Sequence, residues 1–115
     1  MIQQRQIIEV PFNLPQGTQN HPAIVLSSND AIMNENGFIA MMITTEKKYD
    51  DQYTFEITKE MLTKPFNIDY CQARLHLISF FNENDVIKNS NWNNNIKKNF
   101  FEMIIEQVNK ITFDL

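Results

Sequence analysis

In 115 residues this chain has one cysteine, one tryptophan, two glycines and two histidines. A single cysteine, Cys71, excludes an intrachain disulfide and a cysteine-built metal cage, and it suits a reducing compartment. Positive charge is scarce too. The formal net charge of −4 argues against broad, non-specific attraction to nucleic acid, although it leaves room for a local basic site. No apolar run approaches the ~20 residues that a membrane-spanning helix needs. The polar start, Met1-Ile-Gln-Gln-Arg5, has no signal-peptide core. A soluble, cytoplasmic protein with no membrane association is the expectation. What is present is a core: 43% apolar residues and nine phenylalanines predict one packed domain over 1–115.

The stretch His21-Pro-Ala-Ile-Val-Leu-Ser-Ser28 has the character of a buried central strand, entered through a proline and left through a polar turn. Pro22 has no N–H to donate and is expected at the strand's first position, which puts His21 at its mouth. Residues 5–12 predict an earlier strand whose end Pro11 pushes to an edge or bulge. The segment 29–37 reads as a polar connection closed by an Asn36-Gly37 hairpin turn. Phe38 to Thr45 follows as a strand apolar enough to be buried on both faces, at a barrel or sandwich centre. A charged tip, Glu46 to Asp51, leads to a half-exposed strand at 53–58, a helical turn before Pro65, and a longer strand at 69–81.

The Asn-rich segment 82–95 reads as a loop, within which Trp92 either anchors against the helix or lies exposed. Ile96, Phe100, Ile104, Val108 and Ile111 form an apolar stripe at helical spacing. They predict a helix over about 95–111, with Asn93 to Asn95 as cap candidates and Lys110 favourably placed in the last turn. The expected fold is mostly β with a C-terminal helix, the sheet spanning about 5–81.

Alternation along the strand from 69 points Cys71, Ala73, Leu75 and Leu77 one way and Gln72, Arg74 and His76 the other. Arg74 and His76 then share a face about 7 Å apart. Spacing alone favours the plainer reading, a solvated strand face with His21 as a turn residue.

The ordered set of stretches resembles the MazF/PemK (Kid) toxins of bacterial toxin–antitoxin pairs. Those toxins have a first strand ending Val-x-Phe, a glycine-bearing loop, Arg-Pro-Ala-Val-Val-Leu-Ser, an apolar strand ending in Thr, and a later strand of the type Ser-Gln-Val-Arg-x-Asp-x-Ile. Here the matching stretches are Glu9-Val-Pro-Phe12, Gly17, His21-Pro-Ala-Ile-Val-Leu-Ser27, Met42-Ile-Thr-Thr45 and Cys71-Gln-Ala-Arg-Leu-His-Leu-Ile78. The resemblance implies a small SH3-like barrel of the MazF/PemK (CcdB-like) type, a homodimer, and a metal-independent endoribonuclease without cofactor acting on single-stranded RNA. It implies a cognate antitoxin protein as partner. The family's strand arginine falls on Arg74 and its strand-end threonine on Thr44. Its proline-preceding arginine falls on His21 and its aspartate on His76, and both are departures.

Metal-free cleavage of RNA needs a base, an acid and a cation against the phosphorane charge. The reading that follows makes His21 and His76 the acid–base pair, in either order, with Arg74 as the cation and Thr44 bonding a phosphate oxygen. Gln72, Thr45 and Gly17 are the expected substrate contacts, and His21 is expected to line one groove with Arg74 and His76. The alternative is a non-catalytic, CcdB-like toxin that binds a protein, or a degenerate member that binds without turnover.

Overall fold

A computed structural model describes residues 2–46, 48–64, 71–88 and 93–115. Six strands follow one another as β1 (Gln6–Leu14), β2 (Gly17–Val25), β3 (Gly37–Thr44), β4 (Thr54–Ile57), β5 (Cys71–Asn82) and β6 (Asn94–Asn95). Two helices, α1 (Asn29–Glu35) and α2 (Lys98–Gln107), complete the chain. The sheet order is β4-β5-β3-β2-β1-β6, with every paired neighbour antiparallel. Its two edges meet. Leu62, beyond β4, bridges Ile96, beyond β6, while Thr63 N–H donates to the Asn95 carbonyl (3.0 Å) and Lys97 N–H to that of Met61 (2.8 Å). The closure turns a sheet into a small barrel and removes the exposed edges.

Adjacent residues of the central strands enter different cores. Ile7, Ile24, Met41, Ile43 and Leu75 pack under Phe101, Ile104 and Val108 of the C-terminal helical segment. Ile8, Val10, Ala23, Val25, Phe38 and Met42 pack on the other side with Ile32 of α1. The near-continuous apolar runs of β2 and β3 therefore reflect burial on both faces. Among the described residues no helix is long and apolar enough to cross a membrane.

Several local expectations are corrected. Segment 29–35 is helical: the Ser28 hydroxyl accepts from Ala31 N–H (3.2 Å), and Asn36, at φ 51°, ends the helix in the left-handed region. Positive φ at Asn serves a helix end as readily as a hairpin, and one buried residue in seven leaves no periodicity to read. β2 begins at Gly17, so Pro22 and His21 lie inside the strand. Pro22 is tolerated because pairing with β3 begins only at Ala23. Asn94 and Asn95 form β6, and Lys97, with no side-chain cap bond, starts α2.

Past α2, the wide turn Val108–Thr112 carries Lys110, and Thr112 Oγ1 donates to the Leu75 carbonyl (2.7 Å). The turn at Lys59–Met61 is a single 3-10 turn, as expected. Pro65, the start of the 69–81 strand and Trp92 lie outside the described residues.

Candidate functional site

The β2–β3 register, Ala23 opposite Met42, brings His21 across from Thr44 when it is carried two residues back along β2 and two on along β3. Hydrogen-bonded pairing has stopped by then, so the strands part and leave a cleft of about 450 Å³. His21, Thr44 and Thr45 line it, with Glu46, Lys48 and Tyr49 of the following loop forming one wall.

The His21 ring meets Phe12 edge-on, with centroids 6.1 Å apart. Its Nε2 is buried without a hydrogen-bond partner. Burial, and next the charge of Lys48, push the imidazole pKa below its ordinary 6.5, while Glu46 and Glu9 oppose that shift. His21 lines the cleft, and a neutral imidazole with a buried, unengaged nitrogen is equipped to accept a proton. Thr44 is buried, and its Oγ1 accepts from Glu46 N–H (3.2 Å), which leaves its O–H as a donor.

Arg74 is elsewhere. Only 6% exposed, it gives Nη1 to Asp51 Oδ1 (2.9 Å) and Thr54 Oγ1 (2.7 Å), and Nη2 to Asp51 Oδ2 (3.2 Å). Its guanidinium also lies 3.8 Å from the Tyr49 ring centre. Gln72 Nε2 donates to the Tyr49 carbonyl (2.9 Å) and lines an adjoining hollow of about 510 Å³ with Lys48, Tyr49, Asp51, Thr54 and Glu56. His76 is exposed against Tyr53, with ring centroids 4.5 Å apart. Burial first, then Arg74, lower its pKa, with Asp51 opposing. Gly17 sits at the β1–β2 tip at φ +127°, beside the lining residues Leu14, Pro15 and Gln16.

The expectation of one shared groove is therefore corrected. The structure joins His21, Thr44 and Thr45, and it leaves Arg74, His76, Gln72 and Gly17 outside their cleft. β5 is irregular between its two pairings with β3. Ile43 pairs with Ala73 but Met41 pairs with Ile78, so Arg74 to Leu77 have no β3 partner, although Arg74 still pairs with Thr54 of β4. Strict alternation fails there: Leu75 enters one core and Leu77 packs against the other.

Lys48 and Tyr49 carry little signal in the sequence beyond their place in the charged tip that follows the strand ending at Thr44. Among the described residues, no group of three or more His, Cys, Asp or Glu is placed to hold a metal ion.

A family model described as the PemK-like, MazF-like toxin of type II toxin–antitoxin systems matches residues 3–111. No curated protein matches the chain. Among solved structures, an endoribonuclease in complex with its cognate antitoxin from a mycobacterial species superposes with a TM-score of 0.65 at 11% identity, covering 100% of this chain and 97% of that one. MazE–MazF from Deinococcus radiodurans gives 0.69 at 10% identity, covering 97% and 96%. A second mycobacterial endoribonuclease gives 0.56 at 9% identity, covering 100% and 97%. At such identities these likenesses speak for the fold.

Proposed function

The chain belongs to the PemK-like, MazF-like toxins of type II toxin–antitoxin systems, and on that premise we propose that it is a metal-independent endoribonuclease acting on single-stranded RNA at a short sequence. The observation that carries this reading is the meeting of His21 and Thr44 in one cleft, with His21 Nε2 unengaged. In the reaction the ribose 2′-oxygen forms a bond to phosphorus and the bond from phosphorus to the 5′-oxygen breaks. The 2′-hydroxyl proton passes to His21 Nε2, and the leaving oxygen takes a proton from water. Thr44 donates to a non-bridging phosphate oxygen. Thr45 in the cleft, Gln72 in the adjoining hollow and Gly17 at the hairpin tip contact the strand.

By analogy with the antitoxin complexes among the similar structures, a cognate antitoxin holds the protein in check, and we propose further that it acts in the cytoplasm as a homodimer. The test is incubation of the purified protein with a mixed single-stranded RNA from pH 5 to 8, in the presence of a chelator. Fragments with 2′,3′-cyclic phosphate ends, absent with His21→Ala, are expected. Inactivity at every pH would leave the protein-binding toxin as the reading.

A further inference from the structure

The cleft holds a base and a hydroxyl donor, yet the arginine that the sequence offered as the cation is consumed elsewhere. Arg74 already has Asp51, Thr54 and the Tyr49 ring. Among the described residues lining the cleft, Lys48 is the only lysine or arginine. Its loop is pinned at both ends. Glu46 N–H is bonded to Thr44 Oγ1, and beyond Lys48 the Tyr49 carbonyl is held by Gln72 and Asp51 by Arg74. Lys48 and Tyr49 also line the adjoining hollow, so they stand on the ridge between the two cavities. A strand with one nucleotide in each cavity must carry its linking phosphate over that ridge.

Resting on the ribonuclease reading, we infer that Lys48 is a further catalytic residue, its ammonium facing the scissile phosphate and stabilising the charge that builds on the non-bridging oxygens. Its present partners, Glu46 and the Tyr49 ring 5.2 Å away, do not prevent this. The Lys48–Glu46 pair, 3.1 Å apart, is exposed at both ends, 55% and 69%, and surface pairs of that kind are readily exchanged for another anion. Arg74 and Gln72 then act as positioning residues, since they fix the loop that delivers the lysine.

Cleavage of single-stranded RNA by wild type, Lys48→Ala and Lys48→Arg tests the assignment. Loss of one charged donor predicts a fall in kcat/KM of about a hundredfold for Lys48→Ala, with kcat carrying most of it and Lys48→Arg recovering most of it. The slope of log kcat/KM against log salt should shrink by about 0.7, one phosphate contact on a single strand. A readout independent of turnover is the NMR titration of His21, which faces Glu9 of β1 and Glu46 and Lys48 of the loop. Its midpoint should rise in Lys48→Ala. A Lys48→Ala protein with wild-type rate and salt slope, or an unmoved His21 midpoint, overturns the assignment while the ribonuclease reading stands. A wild type that cuts no RNA overturns both.

Discussion

Arg74 lies against Tyr49, its guanidinium 3.8 Å from the ring centre, while the same group closes two bonds on Asp51. Both partners belong to the segment between β3 and β4, so a residue on a central strand fixes the course of a loop. That loop is the wall between the His21 cleft and the neighbouring hollow.

Removing the arginine should loosen the wall. Arg74→Ala removes the guanidinium bonds to Asp51 and Thr54, leaving Asp51 only Tyr53 N–H and the Thr54 hydroxyl. A loss of about 2 kcal/mol is expected, since hydrogen bonds to charged groups are the costlier ones to break. Arg74→Lys keeps the charge but loses the paired bonds and the flat stacking surface, and should recover less than half of that loss. Urea unfolding midpoints compared at constant m-value measure it. RNA cleavage should fall in both variants.

Thr44→Val replaces a buried hydroxyl by a methyl of nearly the same size. Glu46 N–H loses its acceptor, with an expected stability cost of about 1 kcal/mol. Cleavage should drop by about a hundredfold because the phosphate loses a donor. Thr44→Ser should keep most of both, and a parallel assay of the two variants decides.

Acid should act on this protein in two stages. Both imidazoles bind a proton less well in the folded chain than in the unfolded one, so their effect on stability is constant above the ordinary 6.5 and stability falls as pH drops below it. Asp51, held below its ordinary 3.8 chiefly by Arg74, adds a second loss as pH falls below that value. Denaturation midpoints at pH 7.5, 5.5 and 3.5 should decrease in that order. With neutral His21 as the base, the acid limb of kcat/KM should lie below pH 6.5.

The two glycines should fail for different reasons. Gly17→Ala adds a Cβ that meets nothing within 4 Å, yet φ +127° strains any L side chain, at a cost of about 1–3 kcal/mol. Gly37→Ala needs no unusual φ, but its Cβ would stand 2.5 Å from Phe80 Cζ and 2.8 Å from the Phe81 carbonyl, overpacking worth about 1–3 kcal/mol. Shortening residue 80, in Phe80→Ala, should relieve part of the second penalty and none of the first. A double-mutant cycle on unfolding midpoints separates them.

Cys71 should be inert. It is buried, and desolvation pushes its thiol up to about 11, with Glu56 adding to the shift. A thiol reagent at pH 8 should label it only as fast as the protein unfolds.

Much of this was legible in the residues. The double-sided burial of β2 and β3 shows in Ala23-Ile-Val25 and Met41-Met-Ile43 as unbroken apolar character, because each neighbour has its own core to enter. The C-terminal helical segment shows in the spacing of Phe101, Ile104 and Val108, because one face packs on the sheet. Helix α1 did not show, since seven residues with Ile32 alone buried have no period. Alternation along β5 holds through Leu75 and fails at Leu77, because it presumes an unbroken ladder and the ladder with β3 slips by several residues there.

The chemistry divides in the same way. Side-chain pattern, which depends on local burial, determined a mostly β fold with a terminal helix and drew attention to His21. The closed barrel and the role of Thr44 came from the ordered stretches that resemble the toxin family. Which groups meet was decided by register, by the bulge in β5 and by the course of the 46–51 loop. Those depend on contacts between residues far apart in the chain, such as Arg74 with Asp51 and Gln72 with Tyr49, and no local pattern records them.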